Sequence, residues 1–267
     1  MPAIQVNGAS LHVKDTGEGE ALVLVHGTGA NADAWDLVSP LLASSHRVIA
    51  YDRRAYQRST GAQPPSRDYY RQHGEDLAEL LRVLGAVPAT VVAWSGGSFP
   101  ALHAALKYPE RIRQLVLYEP PLHAARNPTW PLFKTFATVG LMKALGKPQA
   151  AAGAFLRMVM AYADGRSSLD NFPAALRAGM VKDIPALLAE LDAGTGEELT
   201  PAQLSTVKPP VKLMLGDQSP ALFTAAMRRL QNIYPKAPLI SIPGANHIAL
   251  IDLPEVFAQS LRTAITA

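Results

Sequence analysis

The feature that most restricts the fold of this chain is a set of short runs apolar at every position. They are Ala21-Leu22-Val23-Leu24-Val25, Val48-Ile49-Ala50, Val91-Val92-Ala93, Leu115-Val116-Leu117 and Leu213-Met214-Leu215. A strand with one solvated face alternates polar and apolar residues, whereas a run apolar throughout predicts a strand covered on both faces. Helical patterns lie between the runs: Leu77, Leu80, Leu81 and Leu84 share one helical face, as do Phe223, Met227, Leu230 and Tyr234. Pro254 stands where a last helix would open. Strand alternating with helix predicts a mostly parallel sheet with helices on both faces.

Three further strands complete the expectation. Ile4 and Val6, the Asn7-Gly8 turn, and then Leu11 and Val13 read as a hairpin, and Leu239-Ile240-Ser241-Ile242 reads as the final strand. The expected sheet therefore has eight strands. From Leu122 to Leu204 there is no strand pattern, only helical stretches broken by Pro128, Pro131, Pro148, Pro173 and Pro185. This predicts a helical insertion at 122–204 between two core segments, 1–121 and 205–267.

Composition excludes several functions. There is no cysteine, hence no disulfide, thiolate metal site or cysteine nucleophile. With 25 basic against 22 acidic residues and no basic run interleaved with aromatics, a nucleic-acid partner is not expected. No apolar run nears the roughly 18 residues that span a bilayer, so no membrane partner is expected either. The start, Met1-Pro2-Ala3-Ile4-Gln5, lacks a signal-peptide pattern, and a soluble cytoplasmic protein acting on a small molecule is the expectation. Oligomeric state is not readable from the pattern.

Three loops carry chemistry. Ala93-Trp94-Ser95-Gly96-Gly97 sits directly after a buried strand and before a helix. Small residues two positions either side of Ser95 permit the tight turn that lifts a nucleophilic hydroxyl out of a sheet. His26-Gly27-Thr28-Gly29 follows the Ala21–Val25 strand, and the amides of Thr28 and Gly96 would pair as an oxyanion hole. Gly244-Ala245-Asn246-His247 follows the last strand and offers His247 as a general base. Of the remaining histidines, His123 lies where the insertion begins and is a candidate pocket residue. A competing reading uses the same first loop. Gly27-Thr28-Gly29-Ala30-Asn31-Ala32 fits the dinucleotide pattern G-x-G-x-x-A, with Asp52 ending the next strand.

Taken in order, these motifs resemble the α/β-hydrolase superfamily over nearly the whole chain. The set comprises the His-Gly loop, Asp52-Arg53-Arg54, the serine elbow, an acidic loop and a late histidine, in the order Ser…acid…His. The resemblance implies a cofactor-free serine hydrolase with a helical cap, acting on an ester, lactone or related carbonyl through an acyl-enzyme on Ser95. It departs from the family at three places. Ala93 replaces the elbow's usual first glycine. Ala55 and Gln57 stand where relatives carry glycine. Ser219 occupies the usual place of the acid, three residues after Gly216. Glu119, at the end of the Leu115–Tyr118 strand, is the favoured substitute, as in one group of haloalkane dehalogenases, and Asp217 is the alternative. The displaced acid keeps two other readings open: carbon–carbon bond cleavage or other non-hydrolytic chemistry, and a ligand-binding protein with an incomplete triad. Candidate substrate contacts are Trp94 beside the serine, His123, and Phe133, Phe136 and Met158 of the insertion, which favour an apolar substrate.

Overall fold

The structure is a computed structural model that describes residues 3–126, 128–171, 179–196 and 198–267. Nine strands are assigned among them. They are β1 (Ile4–Val6), β2 (Ala9–Leu11), β3 (Val13–Thr16), β4 (Ala21–Val25), β5 (Arg47–Tyr51), β6 (Ala89–Trp94), β7 (Ile112–Tyr118), β8 (Val211–Gly216) and β9 (Leu239–Ile242). The main sheet has the order β3-β5-β4-β6-β7-β8-β9. Every pairing in it is parallel except β3 with β5.

The sheet therefore has seven strands, not the expected eight. The hairpin β1–β2 closes on itself, with Ile4 opposite Leu11, as a separate two-stranded ribbon. The chain changes sheets at His12. Its N–H donates to Ser59 Oγ at 2.9 Å and its carbonyl accepts from Asp52 N–H at 3.0 Å. That junction separates Leu11 from Val13, which alternation alone joins into one arm.

The fully apolar runs behave as their composition requires. All residues of β6 are buried, and β4 is buried from Leu22 to Val25. One apolar layer gathers Leu22, Leu24, Val48, Val92 and Val116 with Phe257 and Leu261 of the Pro254–Thr266 helix. The opposite layer gathers Val23, Val25, Ile49, Val91 and Leu115 with the Tyr69–Val83 and Ser98–Lys107 helices.

Between β7 and β8 the described residues hold no strand of the sheet but the helices Trp130–Ala144, Pro148–Val159, Ile184–Ala193 and Pro201–Leu204. Each carries proline in its first turn. Pro131, Pro148 and Pro185, read from sequence as interruptions, are helix starts, where the missing N–H costs nothing. Pro173 lies outside the described residues. No helix among the described residues is long and apolar enough to cross a membrane.

Candidate active site

Three loops at the C-terminal ends of the parallel strands meet over the middle of the sheet. Ser95 follows β6 directly and takes φ +54°, left-handed backbone that a serine adopts only when its surroundings impose it. The imposition is steric. A Cβ on Gly97 would lie 2.4 Å from the His26 carbonyl oxygen, so the elbow packs against the end of β4 as only glycine allows. Ala93, the departure from the family's usual glycine, is fully buried and accommodated.

His247 reaches over the sheet from the loop after β9. Its Nε2 lies 2.9 Å from Ser95 Oγ, and its Nδ1 lies 2.7 Å from Glu119 Oε2. A carboxylate only accepts, so Nδ1 carries the proton and Nε2 presents its lone pair to the serine hydroxyl. Three supports hold the ring. Phe223 stacks on it with centroids 3.7 Å apart and planes 11° from parallel. Trp94 Nε1 donates to the His247 carbonyl at 2.9 Å. The Tyr118 hydroxyl donates to the neighbouring Asn246 carbonyl and accepts from Ala249 N–H at 3.3 Å.

Glu119 follows β7 with φ +48° and is wholly buried. Besides His247, its carboxylate accepts from Gly216 N–H at 2.7 Å and from Ser219 Oγ at 2.6 Å, both on the Glu119 Oε1 atom. Asp217, the alternative candidate, has no hydrogen bond to His247 among the described residues. It is exposed, and its Oδ1 accepts from Gly244 N–H at 2.9 Å, closing the turn that leads to His247.

Thr28 and Gly96 are brought together beside Ser95. A Cβ on Gly96 would lie 2.2 Å from Thr28 Oγ1, and one on Gly27 would lie 3.0 Å from Ser95 Cβ. Thr28 N–H has no hydrogen-bond acceptor among the described residues. Behind this loop, Arg53 N–H donates to His26 Nε2 at 3.0 Å, so His26 Nδ1 carries the proton and donates to the Gly27 carbonyl at 2.9 Å. Burial first, and the Arg53 charge second, hold the His26 imidazole neutral, well below the ordinary histidine range. His26 is thus a fixed brace of this loop.

Ser95 sits where two apolar lobes meet. One is walled by Ala34, Trp94, Leu156, Met160, Met180 and Ile251. The other is walled by Phe99, Leu132, Phe136, Met158, Leu222 and Phe223. Phe155 and Val159 face both. Trp94, Phe136 and Met158, three of the candidate substrate contacts, line these lobes. Phe133 does not: it is 54% exposed and stacks on Trp130 on the outer face, because its helix turns Leu132 and Phe136 inward. His123 does not line the cleft either. It is buried, with Nε2 donating to the Leu199 carbonyl at 2.8 Å and its N–H to the Thr195 carbonyl at 2.8 Å. It ties the start of the insertion to its end.

Sequence reasoning missed Phe223 as the histidine's stacking partner and Ser219 as a donor to Glu119. Phe223 was visible only as one residue of an apolar helical face, and Ser219 only as an absence of charge.

The dinucleotide reading fails on geometry. The loop leads into a four-residue turn of 3₁₀ helix, Ala32–Trp35, in place of the long helix whose N-terminus would face a pyrophosphate. Asp52 is spent on Ala32 N–H at 2.9 Å and on Arg58 Nε at 2.7 Å. Among the described residues no group of three or more His, Asp and Glu is placed to hold a metal ion.

Fold, elbow and loop order together define an α/β-hydrolase scaffold. A sequence profile described as the alpha/beta hydrolase fold matches residues 20–254, and the chain belongs to that family. Among curated proteins it is 29% identical over 255 residues to a pimeloyl-[acyl-carrier protein] methyl ester esterase of Nitrosomonas europaea, covering 94% of this chain and 98% of that one. It is 34% identical over 119 residues to the uncharacterized hydrolase YraK of Bacillus subtilis, spanning 45% of this chain but less than half, 44%, of that protein. Among solved structures, the enol-lactonase from Burkholderia xenovorans LB400 superposes with a TM-score of 0.79 at 20% identity over 100% of both chains, a likeness of fold.

Proposed function

We propose that the chain is a cofactor-free serine hydrolase that cleaves an ester, lactone or related carbonyl of a small, largely apolar molecule. The observation that carries this reading is the contact series Ser95 Oγ, His247 Nε2 at 2.9 Å, and Glu119 Oε2 at 2.7 Å from Nδ1. In it, His247 takes the proton of Ser95 as Oγ attacks the carbonyl carbon. Glu119 steadies the imidazolium. The carbonyl oxygen, now an oxyanion, lies against the amides of Thr28 and Gly96. His247 passes its proton to the leaving alkoxide, which departs as an alcohol. A water, deprotonated by His247, then attacks the acyl-enzyme and releases the acid, returning the proton to Ser95.

The two lobes flanking Ser95 support a substrate with apolar groups on both sides of the carbonyl. The insertion at 122–204 supplies much of both walls and acts as the cap. The relatives named for ester and enol-lactone hydrolysis support the reaction class. A fluorophosphonate probe tests it. The wild type is expected to be labelled on Ser95, and the Ser95→Ala variant to stay unlabelled and to lose p-nitrophenyl ester turnover. A folded wild type that takes no label overturns the reading.

A further inference from the structure

The Ile184–Ala193 helix and its N-cap residue Asp183 meet the Gly27–Asn31 loop directly at two places and through Arg53 at a third, all from one helical face. Asp183, the helix's N-terminal neighbour, accepts from Asn31 Nδ2 at 3.1 Å. Leu187, four residues on, lies on Gly29 so closely that a Cβ there would be 2.4 Å from Leu187 Cδ1. Glu190, three residues further, is bound by Arg53 Nη2 at 2.7 Å and Nη1 at 3.2 Å, and by the Tyr56 hydroxyl. Spacings of four and three place the side chains in one row.

The Glu190 pair reaches the loop through Arg53. Arg53 Nη2 also donates to the Gly27 carbonyl at 3.2 Å, and that oxygen accepts from His26 Nδ1 and from Ala30 N–H at 3.3 Å. Gly27 C=O and Thr28 N–H belong to one peptide unit, which is trans, so they point in opposite directions. Anchoring the carbonyl on Arg53 and His26 turns the Thr28 N–H away from them.

Arg53 and Glu190 are both fully buried. A buried ion pair is a poor stabiliser, because desolvating two charges offsets most of their attraction. Among the described residues this one also leaves Arg53 Nε without a hydrogen-bond partner. Its arrangement thus calls for a reason other than stability.

We propose that the Asp183–Leu187–Glu190 row is a clamp that sets the orientation of the Thr28 amide, so that docking of this helix and formation of the oxyanion site are one event. Glu190 is then a positioning residue, acting through Arg53 and the Gly27 carbonyl. The inference rests on the reading of Thr28 as an oxyanion donor, and the test separates the two.

The variants are Glu190→Gln, which keeps size and removes charge, and Leu187→Ala, which loosens the same docking without touching any charge. Two measurements apply to the full chain. The first is hydrogen–deuterium exchange of the segment containing Gly27–Asn31, expected to rise at least about tenfold in each variant while β6 stays protected. The second is kinetics on a p-nitrophenyl ester beside inhibition by a trifluoromethyl ketone, whose serine adduct carries an oxyanion. Here kcat is expected to fall about ten- to a hundredfold, the ketone's Ki to rise by the same factor, and KM to stay within about threefold. A merely structural helix contact would not make kcat and Ki move together at constant KM.

Folded variants whose loop exchange matches the wild type overturn the clamp. So do folded variants with loosened loops whose kcat and Ki stay within twofold of wild type. If Glu190→Gln does not fold, Leu187→Ala decides by the same criteria. A wild type that neither turns over the ester nor takes the fluorophosphonate sinks the Ser95 reading instead, and the exchange experiment alone then judges the clamp.

Discussion

Ser219 Oγ donates to Glu119 Oε1 at 2.6 Å, so the residue standing where α/β-hydrolases usually keep their acid hydrogen-bonds the carboxylate that contacts His247. The two positions converge because β7 and β8 are parallel neighbours, with Tyr118 beside Met214, and both loops leave the same end of the sheet. Ser219 therefore comes within hydrogen-bond distance of Glu119, whose other oxygen meets His247. A carboxylate entering from β7 accepts from Gly216 N–H and Ser219 Oγ on one oxygen and faces the imidazole with the other.

This geometry predicts a reciprocal exchange. Glu119→Gln should lower kcat on an ester by about two to four orders of magnitude, since the amide no longer stabilises the imidazolium. Adding Ser219→Asp to that variant should recover at least about tenfold, because an acid at 219 starts within hydrogen-bond distance of the same position. Asp217→Asn should stay within about threefold of wild type. Steady-state kinetics on the four proteins checks all three statements. Full turnover by Glu119→Gln would remove Glu119 from the mechanism.

Phe223 stacks on His247 at 3.7 Å and fixes the plane in which Nε2 meets Ser95. Phe223→Leu keeps an apolar filler but loses the flat surface. The fluorophosphonate labelling rate should fall about tenfold, with thermal stability lowered by about 1–3 kcal/mol, because the smaller side chain leaves part of the buried ring's volume unfilled. Unchanged labelling in a folded variant would reduce Phe223 to ordinary packing.

Asp183 carries a pH signature. Burial raises its carboxyl to about 6, although Asn31 Nδ2 and Gln57 N–H both bind its charged form. The folded value lies above the ordinary carboxylate value near 4, so the folded state holds the proton more tightly. The stability this contributes is complete below about pH 4 and is lost as pH rises through about 6, a change of about 3 kcal/mol. Urea midpoints measured from pH 4 to 8 should therefore fall with pH more steeply in wild type than in Asp183→Asn. Parallel curves would show that Asp183 does not titrate in this way.

Ala55 and Gln57 hold φ of +60° and +42°. The loop thus keeps the left-handed conformations for which relatives use glycine, and does so with side chains in place. Ala55→Gly should raise stability by up to about 1 kcal/mol, relieving the left-handed strain less glycine's greater unfolded-state entropy. Gln57→Gly should give no such gain, because Gln57 Nε2 donates to the Gly179 carbonyl at 2.8 Å and that bond is lost. Thermal unfolding of the two variants distinguishes the cases; a destabilised Ala55→Gly would contradict the strain argument.

What the sequence alone determined is local. The apolar runs of β4 to β8 named a buried parallel sheet, because full burial on two faces leaves no polar positions. The small residues around Ser95 named the elbow, and the glycines of the first and last loops named the partners of that serine, because tight turns admit few residue types. Only the tertiary structure decided between Glu119 and Asp217, separated by 98 positions. Which carboxylate touches His247 depends on the pairing of β7 with β8 and on where each loop leaves the strand. The same holds for Phe133 and Phe136, three residues apart: the set of the helix turned one to the cleft and left the other 54% exposed. The Asp183–Leu187–Glu190 row reads in sequence as part of one more helix. Its meaning appears only when the chain returns it to the Gly27–Asn31 loop, more than 150 residues before it, since which face a helix presents to a distant loop is set by packing rather than by spacing.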